Sequence, residues 1–294
     1  MTVGEAPQSA GRRKLLAALS LAALGPASAL AQRNAAPYVP TPWPIVDAML
    51  DLAQVRSSDF LIDLGCGDGR LVLTAARRFG ARGYGVDINP ELVALANRNA
   101  AEAGVADRVR FEKRDLFETD LREATVLTLY LLPKAVVELV PRIRAQMPAG
   151  ARIVSHDYPL TPWSPEKHVE LDVPEKRPIT GTAYTVLFLY IVPARVAGEW
   201  RLDLPAFVAA EPARLRVTQD VRSTAATVSV GGRTVDAKLS VHADAVRLVL
   251  PPFVPGGARA TLEGHVRDGS LAGTLESARG KGVWRAARVG EGSR

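Results

Sequence analysis

Between residues 37 and 194 the chain alternates short apolar runs with stretches whose apolar residues recur every three to four positions, the periods of strands and of helices. Ile45, Val46, Met49, Leu50 and Ala53 fall on one helical face, with Thr41 placed to cap that helix and Pro42 at its first position. The run FLIDL follows as a strand. Leu71, Val72, Ala75 and Ala76 mark a helix that Gly80 closes, GYGVD is a second strand, and Leu92, Val93 and Ala96 belong to a helix opened by Pro90 and ending near Gly104. RVRFEKRD and TVLTLYLL read as the next two strands, residues 135–147 as a helix, ARIVSHD as a fifth strand and TAYTVLFLYIVP as a long last one. Strand and helix alternating in this way predict a mostly parallel sheet with helices on both faces.

Beyond Trp200 the period shortens to two. RLRVTQD, residues 224–230, TVDAKLSV, AVRLVL, ARATLEGHV, SLAGTLES and GVWRAARV are short alternating runs separated by Gly, Pro or Asp, and Gly231 and Gly232 suit a two-residue hairpin turn. A separate antiparallel β sandwich or small barrel is expected there, with no cluster of metal ligands or nucleophiles, as a structural or partner-binding unit. The expected boundaries are a leader over residues 1–31, an α/β domain over 32–196 and the β-rich domain over 197–294.

The leader has Arg12, Arg13 and Lys14, an apolar core over residues 15–24, and Ala29-Leu30-Ala31 before Gln32, which is the order of a cleaved secretory signal. Cleavage is expected after Ala31. The arginine pair also resembles the twin-arginine signal, with Gly11 where that pattern usually has Ser or Thr. An exported, periplasmic protein is expected, or a cytoplasmic one if the leader is inefficient. The apolar core is too short to read as a membrane span, so none is expected in the mature chain. At 47% hydrophobic and 23% charged residues the composition is that of a folded globular protein. Without residues 1–31 the net charge falls from +6 to +4, and no dense basic run or interleaved aromatics follow, which argues against a nucleic-acid partner.

The candidate chemistry starts at DLGCGDGR. An apolar strand ends at Asp63, and Gly65, Gly67 and Gly69, with the single cysteine Cys66 among them, run into a helix. Glycines there let the backbone turn tightly and approach a ligand, while the helix start offers free N–H groups. A dinucleotide fingerprint needs its third glycine five residues after the first, and that position is Arg70, so NAD is disfavoured. Asp87 closes the next strand, where a carboxylate can accept from both hydroxyls of a ribose. Asp115 closes the strand after it, where an oxygen can take the exocyclic amine of an adenine. Three carboxylates at the ends of three consecutive strands line up along one ligand.

With these residues the region over residues 37–194 resembles the class I S-adenosylmethionine-dependent methyltransferases. The resemblance implies a seven-stranded Rossmann-like sheet whose inserted last strand, TVLFLYIV, is antiparallel. It implies cofactor contacts at Asp63, Gly65, Cys66, Gly67, Asp87, Asp115 and Leu116, with Asp63 near the methionine end. PYVPTP before the first helix, the Asp-Gly-Arg ending of the loop, RDLFETDL, LYLLP and PWSP, in that order, further resemble the small mitochondrial protein-lysine methyltransferases that act on the adenine nucleotide translocase and the ATP synthase c-subunit, and their bacterial relatives. The implied activity is methyl transfer to a protein lysine amine. Small-molecule methylation and an exported cofactor-binding module without turnover are the alternatives.

Tyr130 in LYLLP stands at the strand end where an acceptor would enter, to orient the nucleophile. His156 and Asp157 after the next strand are candidate proton acceptors, and Tyr38 and Thr41 a lid over the cofactor. A core aromatic, a satisfied polar pair and simple helix capping are the plainer readings of the same residues.

Overall fold

The computed structural model describes residues 38–254 and 257–290. The leader and its cleavage point lie outside the described residues. The first sheet has seven strands, in chain order β1 (Phe60–Leu64), β2 (Arg82–Asp87), β3 (Val109–Lys113), β4 (Val126–Leu129), β5 (Arg152–His156), β6 (Lys167–Asp172) and β7 (Tyr184–Ile191). Their spatial order is β3-β2-β1-β4-β5-β7-β6. β1 to β5 pair in parallel, while β7 lies antiparallel between β5 and β6, as the expected insertion requires.

Alternation along each strand sends side chains to two cores. Leu61, Val126 and Val154 meet α1 (Trp43–Leu52), α2 (Arg70–Phe79) and α3 (Pro90–Glu102) on one face. Ile62, Leu127 and Ile153 meet α4 (Pro133–Gln146) on the other. Gly80 ends α2 in the left-handed conformation at φ 72°, with its N–H on the Ala76 carbonyl. At the N-terminal ends of the strands, Arg152 pairs with the buried Asp59 and donates to the Ala53 and Gln54 carbonyls at 2.9 and 3.0 Å. That pair ties the end of α1 to β5.

Three features depart from the sequence expectations. The residue capping α1 is Pro42, with no side-chain cap, and the Thr41 carbonyl instead accepts from Arg70. β6 follows β5 without a helix between them. A further strand, β8 (Gly198–Asp203), precedes the alternating runs.

Those runs form β9 (Ala213–Gln219), β10 (Thr224–Val230), β11 (Arg233–His242), β12 (Ala245–Leu250), β13 (Ala260–Arg267), β14 (Ser270–Ser277) and β15 (Gly280–Arg288). Each pairs antiparallel with the next, and β15 pairs with β8, so the unit is a closed eight-stranded barrel rather than a sandwich. An eight-stranded barrel encloses just enough room for its own side chains. Trp200 and Trp284 fill it, each with its indole N–H on a carbonyl, that of Val196 or of Glu263. Gly264 and Gly273 face each other beneath Trp284, and a Cβ on Gly273 would stand 1.9 Å from the Glu263 oxygen.

Candidate functional site

The turn after β1 crosses the C-terminal edge of the sheet toward β2, where the Gly65 and Cys66 amides both donate to the Val86 carbonyl at 2.9 Å. Gly65, Gly67 and Gly69 have φ of 81°, 54° and 82°, a conformation that residues with a Cβ adopt only at a cost. Gly67 donates its N–H to Asp87 Oδ2 at 3.0 Å, and Asn89 donates to Oδ1 at 2.9 Å. The carboxylate is thus fixed against the loop while each oxygen retains acceptor capacity. Asp115 lies two residues beyond β3. Its Oδ1 accepts from the Phe117 amide at 2.8 Å, with Leu116 half-buried beside it. Cys66 is buried, and burial pushes its thiol far up, so it serves as packing rather than as a nucleophile.

Asp63 is buried in β1, and Thr128 of β4 donates to its Oδ1 at 2.7 Å. Burial pushes its carboxyl up to about 7, against the Thr128 hydrogen bond, and the charges of Asp87 and Asp68 push the same way. Asp68 itself is held below the usual range: burial would raise it, but the Arg70 guanidinium, at 2.6 and 2.9 Å, outweighs that. Three carboxylates therefore converge at this turn with one cation among them.

Arg70 also reaches back to the segment before α1. It donates to the Thr41 carbonyl at 2.6 Å and to the Tyr38 hydroxyl at 3.5 Å, and lies over the Trp43 ring at 5.1 Å. The Tyr38 ring covers the loop so closely that a Cβ on Gly67 would be 2.4 Å from it. Tyr38 and Thr41 are thus brought to the glycine loop, and Arg70 is the residue that fastens them there.

Beside this loop lies the turn after β4, whose Leu131 side chain would be 3.0 Å from a Cβ on Gly65. Tyr130 in that turn stacks on His156, with ring centroids 3.8 Å apart and planes at 25°. His156 is fully buried. Its Nε2 is 2.7 Å from Thr185 Oγ1, and Thr185 Oγ1 is 2.6 Å from Asp157 Oδ1. Thr185 has one hydroxyl proton, and the charged acceptor takes it. His156 is then a donor through Nε2, and its buried Nδ1 has no partner among the described residues. Burial lowers the imidazole to about 4 despite Asp157, so it is neutral at pH 7. Asp157, at φ 62° and half-buried, is also held by Lys176 Nζ at 2.6 Å. Burial would raise its carboxyl, but His156, Lys176 and Thr185 together keep it low. Tyr130 is pushed up to about 12, by burial first and then by the charge of Asp157, and stays a phenol.

The family model described as the ANTKMT methyltransferase domain matches residues 63–167. A protein-lysine N-methyltransferase of Saccharolobus islandicus is 36% identical over 53% of this chain and 93% of its own length. The chain belongs to this methyltransferase family. The adenine nucleotide translocase lysine N-methyltransferase of Mus musculus is 38% identical over 44% of this chain, and the match spans 56% of the mouse protein. A solved structure titled an RNA methyltransferase from Salinibacter ruber in complex with S-adenosyl-L-homocysteine is 47% identical, covers 54% of this chain and 96% of that one, and has a TM-score of 0.49.

The cofactor of the methyltransferase is S-adenosylmethionine, and the turn fits it. That molecule carries a sulfonium and an ammonium, and Asp63, Asp68 and Asp87 form a site with an excess of negative charge. Gly65 and Gly67 let the turn take its positive φ with the Leu131 and Tyr38 side chains packed against it. Asp87 and Asp115 keep acceptor capacity for hydroxyls and for an amine. Among the described residues no cluster of three or more metal ligands is present, and no helix is long and apolar enough to cross a membrane. Thr128, Arg70 as a fastening residue, Thr185 and Lys176 also belong to this site and are not predicted from the sequence. Only Arg70 carried a signal, as the residue in place of the third glycine.

Proposed function

We propose that this protein methylates the side-chain amine of a protein lysine, with Asp63, Gly65, Gly67, Asp87 and Asp115 holding the cofactor and Tyr130 orienting the acceptor. The observation that carries the reading is the polar group Tyr130, His156 and Asp157, set beside the glycine loop in a chain that matches an archaeal protein-lysine methyltransferase over nearly all of that protein's length. When bound, S-adenosylmethionine supplies a methyl group on a sulfonium: a neutral amine forms the N–C bond, the C–S electron pair goes to sulfur, and one proton leaves the nitrogen.

The chain's own residues place the amine and handle that proton. A lysine amine is protonated below about 10.4 in water and must lose a proton before it reacts. Tyr130, a phenol throughout the working range, accepts from or donates to the incoming nitrogen without competing for its charge. Asp157 is ionised and partly open, so it can accept a hydrogen bond from the nitrogen that loses the proton, while its lowered carboxyl does not keep that proton. His156 is hydrogen-bonded to it through Thr185, with its Nε2 also 3.6 Å from Asp157 Oδ2.

The test compares lysine methylation in cells with and without the gene by peptide mass spectrometry. A methyllysine that disappears on deletion, returns with the wild-type gene and does not return with Asp87→Ala supports the reading. Unchanged lysine methylation together with a changed small molecule or nucleoside overturns it. The leader supports action outside the cytoplasm. A mature chain beginning at Gln32 in the extracytoplasmic fraction is the expected result there, and a full-length chain confined to the cytoplasm the contrary one.

A further inference from the structure

Lys176 is nearly excluded from solvent and comes from the connection between β6 and β7, in a single turn over residues Pro174–Lys176 that lies at the same sheet edge as Tyr130 and Asp157. Lysine is almost never buried unless paired. Its Nζ donates to Asp157 Oδ2 at 2.6 Å and to the Tyr184 carbonyl at 2.9 Å. The two sides of this ion pair are not equivalent: the Lys176 side chain is 3% exposed and that of Asp157 20%. The carboxylate faces the open side and the ammonium stands behind it. An ion pair serving only to hold the β6–β7 connection in place has no need of that arrangement, nor of a non-glycine residue at φ 62° to aim the carboxylate.

We infer that Lys176 is a positioning residue of the acceptor site: it fixes the Asp157 carboxylate and cancels its charge, so that the site does not hold the acceptor amine in its protonated, unreactive form. The inference rests on the lysine-acceptor reading above. An uncompensated carboxylate stabilises a nearby ammonium by about one to three pKa units, and an ammonium has no lone pair for the methyl carbon. The groups facing Asp157 are His156 before it, Tyr130 after β4, Lys176 from the β6–β7 connection, and Tyr184 and Thr185 at the start of β7. His156 is neutral at pH 7 and Tyr130 and Tyr184 are phenols, so Lys176 is the cation that balances the carboxylate at working pH.

The probe is n-butylammonium, which has the end group of a lysine side chain. It is titrated by NMR into full-length protein saturated with S-adenosylhomocysteine, at pH 7. Lys176→Met is expected to bind it at least ~10-fold more tightly than wild type, Lys176→Arg like wild type, and Asp157→Asn more weakly. The imidazole resonances of the same samples give a second readout. The titration of His156 is expected to move up in Lys176→Met, which loses a neighbouring cation, and down in Asp157→Asn. If Lys176→Met does not fold, Lys176→Gln, which keeps a donor to Asp157 without the charge, is titrated in its place with the same expected tightening. Equal affinity in wild type, Lys176→Met and Asp157→Asn, with His156 unmoved, overturns the role of Lys176 and leaves the lysine-acceptor reading standing. No binding to any of the proteins at any pH, while S-adenosylhomocysteine binds normally, overturns both.

Discussion

Replacing Asp63 by asparagine removes a charge without changing the shape of the side chain. The amide oxygen can still accept from the Thr128 hydroxyl, which is 2.7 Å from Asp63 Oδ1. In the wild-type fold the carboxyl is pushed from the usual 3.8 to about 7, by burial first and then by Asp87 and Asp68. Its folded pKa is above its unfolded one, so its stabilising contribution is complete below about pH 4 and is lost as the pH rises through 7. At ~1.4 kcal/mol per pH unit over that interval, ionising Asp63 in the folded protein costs on the order of 4 kcal/mol at pH 8. The Asp63→Asn side chain never ionises. In urea melts from pH 4 to pH 8 without cofactor, the stability of the variant minus that of wild type should therefore rise from near zero to ~4 kcal/mol, and taking the difference cancels the other titrating groups. Cationic cofactor repays the same cost, so S-adenosylmethionine affinity should tighten between pH 6 and pH 8 in wild type and stay flat in the variant. A stability difference that does not change with pH would show that Asp63 is not held against its charge and would refute the electrostatic account of the site.

Asp87→Ala removes the acceptor of the Gly67 and Asn89 amides, and calorimetry should show cofactor affinity falling by ~10- to 100-fold; unchanged affinity would remove Asp87 from the cofactor site. Tyr130→Phe keeps the stack on His156 and loses only the hydroxyl, so turnover on an identified acceptor should drop ~10-fold with cofactor affinity unchanged. Full turnover would leave the hydroxyl without a role. Arg152→Met strands the buried Asp59 and should lower unfolding stability by ~3–5 kcal/mol in urea melts without altering cofactor affinity in the folded state. A cost below ~1 kcal/mol would mean that solvent reaches Asp59.

The parts of this fold set by local rules were legible in the chain. Gly80 needs a left-handed cap, Gly231 and Gly232 make the two-residue turn that pairs Val230 with Arg233, and the glycine turn followed by Asp87 reads directly from spacing. What escaped was set by distant partners. β6 lies at the sheet edge with none of its residues fully buried, so KHVELD reads as a polar loop. β8 takes its place between β15, from the far end of the chain, and β9 in the closed barrel. The Thr-Pro-Trp-Pro stretch has the composition of a helix start capped by Thr41, but the helix begins one residue later, with Pro42 at the cap position, and the Thr41 carbonyl accepts from Arg70, 29 residues on. Lys176 sits in the polar run PEKRPIT, where nothing local distinguishes a buried lysine from a solvated one. The glycine turn and the strands beside it are one continuous stretch and are readable, whereas the group around Asp157 is assembled from four separate segments, of which the sequence points only to Tyr130, His156 and Asp157.

The most direct test of the central claim is to incubate the purified protein and its Asp87→Ala variant with methyl-labelled S-adenosylmethionine and an extract of the host, hydrolyse the products in acid and identify the labelled species. Label recovered as methylated lysine with wild type and absent with the variant is the predicted result. Label recovered in nucleosides or in a free small molecule, with none in lysine, would contradict it.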